Sequence, residues 1–461
     1  MVGPAFTYFL KTRIQTIKRG SGYRVINSRY NIRLLQLAQE ILDTNGRRYD
    51  SRLMKHQAEG VRFLEQCLGG CLIGDDMGIG KTFQVLAFME RYASIFQRVL
   101  VIVPAFLLGN WEAEIRKWFP DMTFGAMLDR TNAKINLISY TSFVRYYDKI
   151  RKWRFDWDQI VFDEAHYLQN RDAKRTKYCL AYSRRVPSVI FLTGTPFCNR
   201  PSELFYMLQR LDRYRFGTKA EYGAKFCDAK KTDYGWDYSG ASNLPQLRKE
   251  IKHIAIRRTK AILKGLPKRI KPIVIWIPGD QRPVADHLEK ERVAAMDQKK
   301  PVVEAWIKNF IHRPDKLIVF GYHRAILIDL AKQFNGALLL GGMTKDKRTR
   351  TESSFKDPKG PQILFANLEV AGLGLNLQCA NYQLHIELCW NALLHRQGMD
   401  RSYRIGQKNP VFIYYLLQRG GVDEILWRVY GKKLVNFDTV FPDPVQVKAA
   451  VKEIHLEVGH A

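Results

Sequence analysis

The stretch GDDMGIGKT, Gly74 to Thr82, lies between a short apolar run, Gly69–Gly74, and an amphipathic run, Phe83–Phe96. Strand, glycine loop and helix in that order is the setting a phosphate-binding loop requires. Gly78 and Gly80 carry no side chains, so backbone N–H groups can close around phosphate oxygens, and the start of the next helix adds donors and a partial positive charge. Lys81 supplies a point charge for the β- and γ-phosphates, and Thr82 a hydroxyl for Mg2+. Asp76, Met77 and Ile79 complete the candidate nucleotide cradle. The general pattern has Gly or Ala where this chain has Asp75. Read alone, the same residues also describe a glycine turn beside a surface lysine, and the rest of the chain has to choose.

A chain of 461 residues predicts two or three domains, each able to bury its own core. Hydrophobic residues make up 46%, no apolar run is long enough to span a bilayer, and the N-terminus lacks a signal-peptide pattern, so an intracellular protein without a membrane partner is expected. Among the seven cysteines, Cys67 and Cys71 have no second pair or histidine at zinc spacing; reduced thiols and no structural metal are expected. The charge is the outlier, with 74 Lys and Arg against 45 Asp and Glu, a net +29. A polyanionic partner explains this best, nucleic acid before membrane, and charge alone does not separate DNA from RNA.

Residues 1–50 hold nine Lys and Arg and three acids and read as a hairpin strand leading into a helix, either a small basic DNA-contacting module or a solubilising extension. From Leu53 the pattern alternates. Strands are predicted at Val99–Val103, Ile135–Tyr140, Gln159–Phe162 and Val189–Leu192, with amphipathic stretches between them, which implies parallel strands with crossover helices. Residues 213–250 are aromatic and charged without a clear period and read as an insertion packed on the first domain. Residues 251–270 are basic and read as a linker. A second series predicts strands at Leu317–Phe320, Ala337–Leu340, Ile363–Asn367, Leu384–Leu388 and Phe412–Leu417. The expected domains are 1–50, 51–270 and 271–461, the last two being α/β lobes with a cleft between them.

Three further motifs carry chemistry. DEAH, Asp163–His166, follows an apolar run; a carboxylate at a strand end facing a phosphate loop can hold Mg2+ through water, and Glu164 beside it can polarise the attacking water. LTGTP, Leu192–Pro196, places two hydroxyls where they can sense the γ-phosphate through Glu164 or His166. In RQGMDRSYRIGQ, Arg396–Gln407, Arg401 and Arg404 stand three apart, so a helix or tight turn puts both guanidiniums on one side. Arginines facing a nucleotide act as fingers that stabilise transition-state charge. A surface acid pair, a plain turn and a solvated basic face are the alternatives for each motif alone.

In this order the motifs resemble a superfamily 2 helicase, and specifically the Swi/Snf-type translocases on double-stranded DNA, over about residues 51–435. LMKHQAEGVRFL (Leu53–Leu64) resembles the adenine-contacting motif, with Gln57 as its glutamine. The family's phosphate loop also carries an acid at the place of Asp75. VPAFLLGNWEAEIRKW (Val103–Trp118), FDEAHYLQN, LTGTPFCNRPSELF and DRSYRIGQ resemble further family motifs, and AGLGLNL (Ala371–Leu377), with Gly374, resembles the second-lobe motif that contacts DNA backbone and nucleotide. GASNLPQLRKEIKHIAIRRTKAILKGLPKR (Gly240–Arg269) and IELCWNALLHRQGMDRSYRIGQ (Ile386–Gln407) resemble the annealing-helicase, fork-remodelling branch. The chain departs from the pattern near Asn367, where the family's threonine or serine has no counterpart. Gln169 replaces a usual lysine, and the segment between Arg269 and Lys316 is shorter than in chromatin remodellers.

The resemblance implies two RecA-like lobes and an enzyme that hydrolyses ATP with Mg2+ while moving along duplex or branched DNA in replication, recombination or repair. Lys81, Thr82, Asp163 and Glu164 would hold and cleave the nucleotide, with Gln57, Gln397, Arg401 and Arg404 around it. A single-strand-binding protein is a candidate partner. The compact length is that expected of a viral or minimal bacterial version, placed in the cytoplasm or nucleoid, or in the nucleus of a eukaryote. The rivals are a chromatin remodeller, an RNA-unwinding ATPase and a DNA-binding scaffold with a dead ATPase fold.

Overall fold

The structure is a computed structural model. It describes residues 49–279 and 288–442 except 69, 131, 154, 198, 264, 268, 269 and 374, with helical residues at 36, 37, 40 and 41 and a strand at Lys452–His455. The expected basic module of residues 1–50 lies almost wholly outside the described residues, and so does Gly374. The chain divides into two compact units, residues 1–262 with 439–444, and residues 263–438 with 445–461.

In the first unit, runs of Val, Ile, Leu and Phe form strands with every residue buried, as parallel strands covered on both faces must be. They are β1 (Cys71–Ile73), β2 (Val99–Val103), β4 (Ile135–Ser139), β5 (Gln159–Phe162) and β6 (Ser188–Leu192), while β3 (Phe124–Ala126) beside β4 at the sheet edge is only partly buried. Ala255–Ile256 adds a further parallel strand at the edge beside β1; it is β9, because the hairpin strands β7 (Lys230–Thr232) and β8 (Gly235–Asp237) precede it. Among the described residues the sheet order is β3-β4-β2-β5-β6-β1-β9. Helices α1 (Lys55–Gln66), α2 (Lys81–Arg91) and α3 (Leu108–Trp118) cover it. On α2, Val85, Leu86, Phe88 and Met89 are buried, each contributing about 1.5–3 kcal/mol relative to exposure.

The run expected to be helical to Phe96 stops at Arg91, where Tyr92 leaves the helix and its hydroxyl donates to Glu65 Oε1 at 2.7 Å. The insertion is ordered rather than shapeless: α4 (Lys219–Phe226), the β7–β8 hairpin and α5 (Leu244–Ile251) lead directly into β9. The basic linker is also corrected. Arg257, Arg258, Thr259 and Lys260 are buried in the first unit, because the two aspartates of the phosphate loop face them.

In the second unit the parallel order among the described residues is β12-β13-β11-β14-β15-β10-β16. These strands are β10 (Ile273–Ile277), β11 (Leu317–Gly321), β12 (Ala337–Leu339), β13 (Ile363–Asn367), β14 (Tyr382–His385), β15 (Phe412–Gln418) and β16 (Lys452–His455). Strand β14 ends before the expected Leu388. Lys299 Nζ takes the Ile386 carbonyl at 2.7 Å and Arg292 Nη2 the Leu388 carbonyl at 2.5 Å, so side chains replace a ladder partner there. Helix α6 (Ala392–Ser402) follows.

Candidate active site

Strands β5, β6 and β1 are neighbours, so the segments leaving their C-terminal ends converge at one rim of the sheet. These segments are DEAH, LTGTP and the glycine loop. Ligands of open parallel sheets bind at such rims.

The loop is shaped for an anion. Gly78 and Gly80 have φ of 83° and 90°, left-handed conformations that favour glycine. A Cβ on Gly80 would also lie 2.4 Å from Gln57 Nε2, so a side chain there would have to push the Gln57 amide aside. Helix α2 begins at Lys81, which leaves the N–H groups of its first turn without intrahelical acceptors. Lys81 Nζ curls back over the loop to the carbonyls of Asp75 at 2.7 Å and Asp76 at 3.3 Å. From α1, Gln57 Nε2 donates to the Ile79 carbonyl at 3.3 Å, and His56 Nε2 lies 3.0 Å from the same oxygen. Met77 packs under the LTGTP turn, where a Cβ on Gly194 would meet its Cγ at 3.0 Å.

Asp75 answers the mismatch with the general loop pattern. It is fully buried, and its carboxylate accepts from Arg258 Nε at 3.1 Å, Arg258 Nη2 at 2.5 Å, Gln84 Nε2 at 3.2 Å and the Arg258 backbone N–H at 2.9 Å. Gly60 makes room, since a Cβ there would meet Gln84 Oε1 at 1.9 Å and Arg258 Nη2 at 2.7 Å. Asp76 accepts from Arg257 Nη2 at 3.3 Å and from the Lys260 N–H at 3.2 Å. The loop acids are therefore ligands for the basic segment after β9.

Asp163 at the end of β5 is buried and held on both oxygens, by Trp111 Nε1 at 2.8 Å and by the Glu164 N–H at 2.8 Å. Burial first, then the charge of Glu164, pushes its pKa up to about 6, against the Trp111 hydrogen bond and the pull of Lys81. A buried aspartate within the field of Lys81, with a second carboxylate next to it in the chain, is a donor set suited to a hydrated Mg2+, whose charge would offset that cost. Glu164 has φ 47°, a left-handed conformation that costs an acidic residue on the order of 1 kcal/mol. Its Oε2 is 3.2 Å from His166 Nδ1, which lies 3.3 Å from Thr193 Oγ1. The Thr195 N–H donates to Thr193 Oγ1 at 3.1 Å, and Gln169 Nε2 donates to the Pro196 carbonyl at 3.1 Å. The DEAH and LTGTP segments are thus wired through His166 and Gln169.

In the second unit Arg401 lies in the last turn of α6, which ends at Ser402, and Arg404 sits in the bend beyond it. Both guanidiniums do lie on one side, since Arg404 Nη1 donates to the Leu375 carbonyl at 3.0 Å and Arg401 Nη1 lies 3.5 Å from it. Burial pulls the Arg404 pKa below the usual arginine value. Gln397 is buried on α6. The helix is pinned by Gln383 on β14, whose Nε2 donates to Ser402 Oγ at 2.9 Å and to the carbonyls of Gly398 and Met399 at 3.2 Å. Asn367, at the departure from the family pattern, donates from Nδ2 to the Tyr322 carbonyl at 2.5 Å.

Sequence reasoning missed Trp111 and Arg258. Trp111 lay inside a quoted motif but had no role; an indole among helix-face residues reads simply as core. The signal for Arg258 was present, since a buried acid in the loop needs a cation and IAIRRTK puts basic residues directly after an apolar run.

Residues 56–282 match the SNF2-related domain, and residues 301–406 match the helicase conserved C-terminal domain. The Caenorhabditis elegans homolog of SWI/SNF-related matrix-associated actin-dependent regulator of chromatin subfamily A-like protein 1 is 29% identical over 426 residues, 83% of this chain and 61% of that protein. The Mus musculus DNA annealing helicase and endonuclease ZRANB3 is 27% identical over 437 residues, 83% of this chain and 40% of that protein. The chain thus spans roughly half the length of these curated relatives. Among solved structures, the Sulfolobus solfataricus SWI2/SNF2 ATPase core in complex with double-stranded DNA aligns with a TM-score of 0.43 and 22% identity, covering 85% of this chain and 97% of that one. The two domain matches, in this order and spanning most of the chain, show that it belongs to the SNF2-related helicase family.

Proposed function

We propose that the chain is an ATP-dependent translocase on duplex DNA that works on branched or forked structures. The observation that carries this reading is the convergence of Lys81, at the start of α2 after β1, with Asp163 and Glu164 at the end of β5, beside a loop whose Gly78 and Gly80 both take left-handed backbone conformations. ATP and Mg2+ supply the phosphoanhydride and the charge that neutralises it. Lys81 holds the β- and γ-phosphates, Thr82 and Asp163 hold the metal, the latter through water, and Glu164 orients the attacking water. Gln57 takes the adenine edge, and Arg401 and Arg404 stabilise the charge that develops on the transferred phosphoryl group.

DNA enters the reading through the net charge of +29 and through relatives named as annealing helicases. Contacts to phosphates dominate, so binding is sequence-neutral and weakens steeply with salt. The test is ATP turnover with linear duplex DNA, four-way junctions and double-stranded RNA. Stimulation by DNA forms, with RNA weak, supports the reading; stimulation by RNA alone replaces it with an RNA-unwinding ATPase.

A further inference from the structure

The insertion of the first unit carries, between α4 and α5, a hairpin that no other element covers among the described residues. Lys230 pairs with Asp237, Lys231 with Trp236 and Thr232 with Gly235, across a two-residue turn, Asp233–Tyr234. All eight residues are exposed, and among the described residues no third strand joins the pair. Tyr234 at the tip is fully exposed and Trp236 is 58% exposed. An isolated two-stranded hairpin is marginal in water, so its position has to come from its stem.

The stem is built. The Asp228 N–H donates to Ser242 Oγ at 3.0 Å, Asn243 Nδ2 to the Lys225 carbonyl at 2.8 Å, and the Ser242 N–H to the Phe226 carbonyl at 3.0 Å. Tyr238 lies against the backbone of α4 at Gly223, where a Cβ would come within 2.2 Å of the ring. At the tip Gly235 has φ 118°, and Thr232 Oγ1 donates to its carbonyl at 2.8 Å. A fixed stem thus holds two aromatic faces out in solvent.

We propose that this hairpin is a base-stacking element, in which Tyr234 and Trp236 take the π-face of an unpaired nucleobase at a DNA branch. The proposal rests on the reading above that the partner is branched DNA. Two aromatics expose a few hundred Å2 between them, short of the roughly 800 Å2 per partner that a stable protein interface needs. One base needs no more than one ring, and stacking tolerates any sequence. The local charge offers phosphates no net attraction. Asp228, Asp233 and Asp237 stand beside Lys230 and Lys231, Lys230 is paired with Asp228 at 3.1 Å, and the charges of Arg200 and Lys230 both act on Asp237. A charge-balanced tip has little hold on the row of phosphates that intact duplex presents, while its two rings accept the flat face that unpaired bases present.

The experiment uses the full chain without nucleotide, so binding is read apart from ATP turnover. A fork with one 2-aminopurine in an unpaired position at the branch is compared with a fully paired linear duplex carrying the same label internally. Tyr234→Ala with Trp236→Ala should weaken fork binding about tenfold to a hundredfold and lose the fluorescence quenching, with duplex binding unchanged. Tyr234→Phe with Trp236→Phe should restore both, and the melting temperature should stay at the wild-type value throughout. Unchanged fork affinity and quenching in the alanine variant, or equal losses on fork and duplex, overturn the proposal; unchanged DNA binding would leave the tip to a protein partner. If ATP turnover ignores DNA while quenching depends on the hairpin, the translocase reading fails and the stacking site stands.

Discussion

The guanidinium of Arg258 donates to both carboxylate oxygens of Asp75, Nε to Oδ1 at 3.1 Å and Nη2 to Oδ2 at 2.5 Å. The pair joins the phosphate loop to a segment 183 residues away and leaves neither charge exposed. Asp75→Gly would restore the general loop pattern, yet it strands a buried arginine. It should destabilise the first unit by about 3–5 kcal/mol in urea unfolding. Asp75→Leu with Arg258→Met should recover most of that loss, since replacing both charges removes the stranded one. A glycine variant as stable as the wild type would show that Arg258 finds another partner.

Trp111→Phe keeps a ring in the core but deletes the donor to Asp163 Oδ2. With that carboxylate less firmly oriented, the Mg2+ concentration for half-maximal ATP turnover should rise about tenfold, with stability lowered by about 1 kcal/mol. An unchanged Mg2+ dependence would mean that the indole serves packing alone.

Glu164→Gln keeps the side-chain shape on its left-handed backbone and removes the base. Turnover should fall by about 10²–10⁴-fold while nucleotide affinity stays within a few-fold. Titration with a fluorescent nucleotide beside steady-state turnover separates the two, and a pure affinity loss would move Glu164 from water orientation to binding.

Arg404→Ala should cut kcat by about 10³-fold or more and leave ATP affinity within a few-fold, because a finger acts in the transition state. Arg401→Ala should behave alike in kcat, with an added loss of stability, since Arg401 is 1% exposed on α6. A change confined to KM would make either arginine a binding residue.

The two parallel sheets were legible because fully buried strands must be apolar throughout, as Val99–Val103 and Leu317–Gly321 are. The lobe 1 motifs were legible because each follows such a run. What stayed hidden was non-local. An acid buried in the loop calls for a cation, and the basic run at 257–260 follows an apolar run, but nothing near Asp75 in sequence pairs the two until the fold sets them side by side. The hairpin was hidden for a different reason: with neither face covered, Lys230–Asp237 has no alternation of apolar and polar residues to read. Its turn, Asp233–Tyr234, also lacks the usual Asn-Gly signal.

The central claim is that ATP turnover is spent on moving branched duplex DNA. At a branch, base pairs lost in one pair of arms are regained in the other, whereas unwinding a linear duplex must supply about 1.4 kcal/mol per base-pair step. The most direct measurement offers a labelled four-way junction and a blunt linear duplex of equal arm length to the wild type and to Lys81→Ala, with ATP and with a non-hydrolysable analogue. The junction should migrate with wild type and ATP only, the linear duplex should stay paired, and Lys81→Ala should bind both DNAs without moving either. Processive unwinding of the linear duplex with the junction untouched, or migration that persists in Lys81→Ala, would contradict the account.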